Sequence, residues 1–500
     1  MCVFEPTTRS VESHNLTHKY HKKLDFKTQS SKIVQVNIMN TKHWSSTLGT
    51  ELDWVEEEYL SLNLGDKRLD KRLKKIVSMM TKRGGMSLPD IFGNWSGTKG
   101  AYRFFSNLKV CYDKIISPHS QATKNRIQKQ ETVLVLSDTT EIYYRKRDHV
   151  EGLGPMNSEY NQGLLLHPSI AFTPDGIPLG ILDLKMWSRT VLGGNRSQDG
   201  RKMSIEDKES VKWIQGYRAL CEFAKESDSK YVYICDREAD IYELFQEYVV
   251  AGENAPDMLI RANHERKIEG GGCSWSYLET LEPAHTYTIT VPRKKGKEAR
   301  EATIELRFEK LTIKSPQYKK LENIDMYALT ATEVDGPKEE SINWKFLTTI
   351  PIHNSDDAKR MIAYYKSRWG IEVFFKVLKS GCNIESTQFK FGDRFKACIA
   401  VSAIVAWRVM MLTFLGRNIP GLKASIMFES FEWKGIYCRI FETPKPPNKE
   451  PDLDSVLSWI AKLGGHLDRK SDAPPGPLVI FKGLMRAVEI GFMFKLLTKA

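Results

Sequence analysis

Residues 356–380 read DDAKRMIAYYKSRWGIEVFFKVLKS. Within them Tyr365, Arg368, Glu372, Lys376 and Lys379 follow at intervals of three, four, four and three, a spacing that predicts one face of a helix. At about 100° per residue the five fall within an arc of roughly 80°, while Ile371, Phe374, Val377 and Leu378 take the opposite side. The apolar side is expected to dock on a sheet. The polar side presents one carboxylate among a phenol, a guanidinium and two ammoniums, all groups able to hold phosphate. A solvated helix face accounts for Glu372 beside Lys376 but does not require Tyr365 or Arg368.

Upstream lies the sheet that such a helix needs. The apolar run 133–136 ends in Ser137-Asp138-Thr139-Thr140 and reads as a buried strand. Strand-like stretches follow at 164–172 and 177–184, joined by the turn signal Pro174-Asp175-Gly176. A polar connection over 189–203 leads into a helical pattern through Val211, Ile214, Leu220 and Phe223. The short strand 231–235 then runs into Asp236-Arg237-Glu238-Ala239-Asp240. The order is strand, strand, strand, helix, strand, with acids at the ends of the first and fourth strands. Taken singly, Asp138 and Asp236 could be turn acids. With Glu372 facing the same edge, three carboxylates can converge. Oxygen ligands in that arrangement suit two hard divalent cations about 4 Å apart and in-line phosphoryl transfer, one ion activating a water or 3′-hydroxyl and the other stabilising the departing oxygen.

The flanks are of other kinds. Behind Asp66, a candidate cap, Leu69, Leu73, Ile76, Val77 and Met80 recur at helical spacing, and Lys67, Lys71, Arg72, Lys74, Lys75, Lys82 and Arg83 fill the remaining faces. This basic amphipathic helix is either a solvated face or a DNA contact. Residues 285–350 alternate in polarity, with Ile304, Leu306 and Phe308 on one side and the basic turn Arg293-Lys294-Lys295-Gly296-Lys297, and predict a β-rich insertion. Beyond Lys396 the pattern is mainly helical, broken at Pro444-Lys445-Pro446-Pro447 and Pro474-Pro475-Gly476-Pro477. Residues 397–415 approach the length of a membrane span, but Arg408 interrupts them, and a buried core helix is expected instead.

Composition narrows the class. The chain has 74 Lys and Arg against 62 Asp and Glu, a net charge of +12, with 41% hydrophobic residues. Disordered, collagenous and low-complexity classes are excluded, and a polyanionic partner is modestly favoured. Eight cysteines without a C-x-x-C pair suggest neither a zinc knuckle nor a disulfide framework. The first forty residues lack an apolar signal stretch, so the chain reads as cytosolic. Residues 1–38 are polar and aperiodic and precede Met39, an alternative start.

The strand ending in Asp138-Thr139-Thr140, the Asp236-Arg237-Glu238-Ala239-Asp240 string, and Tyr365, Arg368, Glu372 and Lys379 together resemble the DDE transposases of insertion-sequence family four, typified by the Tn-five transposase. The likeness runs from about Trp54 through Gly65-Asp66-Lys67-Arg68 and Gly100-Ala101-Tyr102-Arg103-Phe104 to Gly464-Gly465 and Pro475-Gly476-Pro477. It implies an α/β fold: an RNase H-like catalytic core, a mixed five-stranded sheet with helices, carrying a β-rich insertion and flanked by N-terminal and C-terminal α-helical domains. The expected layout is a disordered or untranslated extension over 1–40, a helical DNA-binding domain over 41–110, the catalytic domain over 111–390 with its insertion at about 265–350, and a helical dimerisation region over 391–500.

The resemblance also implies roles. Asp138, Asp236 and Glu372 would be the catalytic, metal-binding triad, holding two Mg²⁺ ions with Mn²⁺ as a substitute. Trp344 would stack on a base flipped out at the element's end, although a core tryptophan is the plain alternative. Arg261, Tyr365, Arg368, Lys376 and Lys379 would contact the same DNA end, and Lys71, Lys74, Tyr102 and Arg103 the DNA bound by the N-terminal domain. The expected partners are double-stranded DNA, as inverted-repeat ends and as target, and a second copy of the chain in the DNA complex, with no membrane. The expected location is the bacterial cytoplasm, with the nucleoid. The expected function is cut-and-paste transposition through a hairpin intermediate. A non-catalytic repressor that occupies the ends, or an RNase H-like nuclease, are the alternatives.

Overall fold

The computed structural model describes residues 54–498 apart from 146–148, 159, 191–202, 292–297, 318, 320, 338–339 and 470–471. The extension 1–40, most of the connection after Arg189 and the basic turn 293–297 lie outside the described residues.

Among the described residues five helices precede the sheet: α1 (Trp54–Glu58), α2 (Lys67–Lys82), α3 (Leu88–Phe92), α4 (Trp95–Phe105) and α5 (Tyr112–Ile127). Asp66 caps α2 by accepting the Arg68 N–H at 2.9 Å, and Asn94 caps α4 by accepting the Gly97 N–H at 2.7 Å. On α2, Leu73, Ile76, Val77 and Met80 are buried, as their spacing predicts. Gly100 lets α4 rest on α2, since a Cβ there would meet the Arg72 guanidinium at 2.8 Å.

The sheet follows with β1 (Thr132–Ser137), β2 (Thr140–Tyr144), β3 (Gly154–Pro155), β4 (Gln162–Phe172) and β5 (Pro178–Trp187). Next come α6 (Val211–Ala224), β6 (Lys230–Cys235), α7 (Tyr242–Ala251) and β7 (Asp257–Arg261). β1 pairs antiparallel with β4 and parallel with β6, β6 pairs parallel with β7, and β5 is antiparallel to β4. These five strands form the mixed core expected. β1 and β2 run end to end along one edge of β4, with Ser137 opposite Ser169 and Thr140 opposite Leu166. Only Asp138 and Thr139 fall out of the ladder, across from Pro168 and His167. β2 and β7 were not foreseen in the sequence.

The insertion holds α8 (Ser274–Thr280), β8 (His285–Val291), β9 (Arg300–Ile313), β10 (Ile324–Val334) and β11 (Asn343–Thr348). It is not a separate sheet. β11 pairs antiparallel with β7, Phe346 opposite Arg261, so core and insertion share one sheet of 11 strands among the described residues.

α9 (Ser355–Ser367) and α10 (Trp369–Lys376) follow, then a π-helical turn over Val377–Gly381. The sequence predicted one uninterrupted helix over 356–380; the structure breaks it at Arg368. Tighter bonds replace the regular ladder there, Arg368 N–H to Tyr365 O and Ile371 N–H to Arg368 O, both at 3.0 Å. The cause lies in tertiary packing. Gly370 presses on Phe172 of β4, where a Cβ would approach the ring within 2.7 Å.

The chain ends with α11 (Gly392–Asn418), α12 (Ser430–Ile440), α13 (Leu453–Leu463) and α14 (Pro477–Leu497). α11 is long and apolar enough to cross a membrane, yet 89% of its most apolar window is buried inside the protein. Arg408 emerges from it to stack on Trp54 at 5.0 Å. Helices α1, α5 and α11 meet β5 around a buried ion pair. Arg126 donates to both Glu58 oxygens at 3.0 Å and to Leu179 O at 2.6 Å, and it stacks on Trp407 at 4.5 Å.

Candidate active site and nucleic-acid face

The buried strands β1 and β6 run side by side in parallel, so the acids that follow them emerge at the same end of the sheet. Asp138 leaves the ladder directly after β1, and its Oδ1 accepts the Thr139 N–H at 2.7 Å. Asp236 caps the turn after β6, its Oδ1 accepting the Glu238 N–H at 2.9 Å. Glu372 arrives from α10, brought down onto β1 and β4 by the Gly370 contact.

Arg368 joins two of the three acids. Its Nη1 donates to Asp138 Oδ2 at 2.8 Å and its Nη2 to Glu372 Oε1 at 2.6 Å. Burial, then the charge of Asp236, pushes the Asp138 carboxyl up to about 7 against the opposing pull of Arg368. Asp236 is raised too, chiefly by burial. Burial alone would lower the Arg368 pKa, but the nearby Tyr365, Asp138, Glu372 and Asp236 outweigh it and the pKa rises. The site thus concentrates negative charge that a cation must offset, and Arg368 does so here. Among the described residues no three His, Cys, Asp or Glu side chains form a ready-made metal cluster. The donor set is nevertheless all oxygen and partly desolvated, which fits a hard divalent ion once the guanidinium leaves.

The remaining residues of the motif divide. Tyr365 was placed on a polar, phosphate-holding face, but it is buried, with the Phe346 ring at 4.8 Å and Trp344 at 5.9 Å. The break at Arg368 turns it inward. Its Oη and Arg261 Nε are both buried and lie outside strict hydrogen-bond geometry, and the Arg261 side chain interacts with the phenol and opposes the rise that burial gives the Tyr365 pKa. Trp344 is half-buried on β11, with the Arg261 guanidinium 6.0 Å from its ring centre. The pairing of β7 with β11 thus gathers Arg261, Trp344, Tyr365 and Arg368 beside the acids. Lys376 is exposed on α10. Lys379, on the π turn, is half-buried; burial lowers its pKa against the charges of Glu385 and Glu141.

In the N-terminal region Lys71 is exposed, whereas Lys74 pairs with Glu56 at 2.5 Å. Tyr102 and Arg103 lie exposed on α4. Trp95, 76% exposed, and Lys99 share their helix face at helical spacing and were missed in the sequence. The Asn94 cap directly before Trp95 was the available signal. Also missed was Lys212 at the start of α6, a buried ammonium that donates to Glu238 Oε2 at 3.2 Å and sits over the Trp187 and Trp213 rings at 5.9 and 5.8 Å.

Three family models match the chain. Transposase DNA-binding covers residues 51–110, Transposase DDE domain covers 260–407, and Transposase Tn5 dimerisation domain covers 404–493. The DDE match takes in Trp344 and the whole of the Tyr365 to Lys379 motif; Asp138 and Asp236 lie before it.

Proposed function

The chain is a Tn5-like DDE transposase, and from that premise we propose that it carries out cut-and-paste transposition of its own element. It binds DNA and forms a dimer; in this reading the DNA is the element's inverted-repeat ends, and the dimer pairs them. Water attacks the phosphorus at the end of the element and releases a 3′-hydroxyl. That hydroxyl attacks the opposite strand to give a hairpin and free the flanking DNA, a second water reopens the hairpin, and the 3′-hydroxyls then attack target DNA. The two water attacks each convert a phosphodiester into a 5′-phosphate and a 3′-hydroxyl, and the two hydroxyl attacks each exchange one phosphodiester for another, so no energy source is required.

The observation that supports this reading most is the Arg368 guanidinium bridging Asp138 and Glu372, with Asp236 close enough to raise the Asp138 pKa by its charge. DDE transposase domains use divalent metal ions; we assign two Mg²⁺, replaceable by Mn²⁺, to these three carboxylates. Such ions supply Lewis-acid activation of the attacking oxygen and neutralise charge on the leaving one. In this reading the phosphate of the DNA end competes with Asp138 and Glu372 for the Arg368 guanidinium, and its arrival draws Arg368 from the acids. Arg261 and Tyr365 hold the phosphate beside a flipped base, Trp344 stacks on that base, and Lys376 and Lys379 line the cleaved strand. Lys71, Tyr102 and Arg103 hold the end farther out.

A strand-transfer assay decides the matter. A duplex carrying the element's end with a free 3′-hydroxyl, incubated with Mg²⁺ and a second duplex, is expected to yield a joined product. Binding without cleavage would make the chain a repressor, and cleavage without joining would make it a nuclease.

A further inference from the structure

Asp138 and Thr139 are the two residues missing from an otherwise unbroken line of pairing along β4. Opposite them stand Pro168, which has no N–H to give, and His167. The gap lets Asp138 turn out at the strand end, but two ladder positions are lost in a part of the sheet where the neighbouring side chains are buried. A side-chain bond fills the place: Thr139 Oγ1 and His167 Nδ1 are 3.0 Å apart. His167 is wholly buried, and its ring meets Trp213 edge-on at 4.7 Å. Burial holds its pKa down at about 3, so the ring is neutral; Nδ1 faces the Thr139 hydroxyl, and Nε2 is buried with no hydrogen-bond partner among the described residues. The backbone of α6 passes close by, since a Cβ added at Gly216 would come into ordinary contact with His167 Nε2 at 3.7 Å and would crowd Tyr233 Oη at 2.7 Å.

Thr139 is tied in turn to the acid. Its main-chain N–H holds Asp138 Oδ1 at 2.7 Å, which leaves Oδ2 as the oxygen that Arg368 takes. We propose that His167 is a positioning residue for the reaction: through the Thr139 hydroxyl it fixes the strand break and thereby decides which oxygen Asp138 presents. The Lys212–Glu238 pair beside Asp236 is a poorer candidate for such a part, because the Glu238 side chain is 64% exposed and free to move with solvent.

The inference rests on Asp138 being a metal ligand, and the test separates the two. In the full-length protein bound to an end duplex, Mn²⁺ affinity is measured by electron paramagnetic resonance, alongside end-binding affinity and single-turnover nicking. Thr139→Val is expected to weaken Mn²⁺ binding and slow nicking by roughly 10- to 100-fold, the usual effect of losing an outer-shell partner. End binding should stay within about twofold, and Thr139→Ser should restore Mn²⁺ affinity to within about threefold of the parent, because the hydroxyl returns. His167→Gln should behave as Thr139→Val, and the double variant should be no worse than either single one, because both break the same bond. Unaltered Mn²⁺ affinity in Thr139→Val, or a Ser variant as impaired as the Val one, overturns the inference even if His167→Gln fails to fold. Unaltered Mn²⁺ affinity in Asp138→Asn overturns the metal-site reading and this inference with it.

Discussion

Arg368 donates to Asp138 Oδ2 at 2.8 Å across 230 residues of chain, and the same guanidinium reaches Glu372 one helical turn away. Two of the three carboxylates proposed for the chemistry are therefore neutralised from within the protein. By linkage, whatever removes Arg368 from the acids strengthens cation binding, and cations strengthen DNA binding by the same factor. An end duplex should raise Mn²⁺ affinity by about fivefold or more. Arg368→Ala should bind Mn²⁺ more tightly than the parent without DNA and show little further gain with it. Paired Mn²⁺ titrations with and without DNA check both points.

Replacing Asp138, Asp236 or Glu372 by Ala should abolish Mg²⁺-dependent cleavage while end binding persists, since each loss removes an oxygen ligand and spares the basic contacts. Gel-shift and nicking assays on one labelled end suffice. Near-normal nicking by Glu372→Ala would refute the triad.

Trp344→Ala should slow hairpin formation more than first-strand nicking. Nicking needs only a placed phosphate, whereas a hairpin bends one strand tightly across the site, a step eased by holding one base outside the stack. Losing the indole removes a stacking contact worth about 1–3 kcal/mol, or roughly tenfold or more in rate. An abasic nucleotide at the flipped position should restore part of the rate by removing the unstacking cost. Equal loss in both steps would make Trp344 only a packing partner of Tyr365 and Phe346.

Reversing Lys71 and Lys74 to Glu should weaken end binding and flatten the slope of log affinity against log salt, by roughly 1 for each phosphate no longer neutralised. Lys99→Glu with Arg103→Glu should do the same from α4. Because Lys74 is already paired with Glu56, its share should be smaller than that of Lys71. Single-variant salt titrations would reveal it.

Glu58 should govern the acid limb of stability. Its buried carboxyl would be raised by burial, but Arg126 and then His119 overcome this and hold it at about 2, below the ordinary 4.5. His119 Nε2 accepts the Ile181 N–H at 2.9 Å, so the proton sits on Nδ1, 2.6 Å from Glu58 Oε1. A depressed carboxyl stabilises the fold fully above its unfolded pKa and loses that contribution as pH falls from 4.5 towards 2, here about 3 kcal/mol. Glu58→Gln should lack this pH dependence and be less stable at neutral pH by about 3–5 kcal/mol, because Arg126 is left buried and unpaired. Denaturant melts at several pH values measure both effects.

Asp138 and Asp236 were legible because each follows an uninterrupted apolar strand, and Glu372 because its neighbours recur at helical intervals. β2 was not, since Thr140 follows the acid with no turn residue to announce a new strand. β7, five residues long, is too short for periodicity to separate it from a buried turn of helix. The break at Arg368 lies two residues before Gly370, which packs on Phe172, a contact between distant segments that no local pattern encodes. Choice of strand partner is equally silent, so the alternation over 285–350 predicted strands without pointing to the union of β7 with β11. His167 stood unnoticed because one buried histidine inside an apolar strand looks the same whether it packs or positions.

That union has a consequence for how the molecule folds. The long stretch from Asp236 to Glu372 would be slow to close as an open loop, since distant ends must find each other by diffusion. Here the hairpins of β8 with β9, β9 with β10 and β10 with β11 each join neighbouring segments and shorten the path in stages. Once β11 has paired with β7, only α9 stands between that strand and α10, which bears Glu372. Delivery of Glu372 becomes a sequence of local zippering events, and a destabilising change in the hairpins, far from any DNA, would be felt as late or failed completion of the catalytic centre.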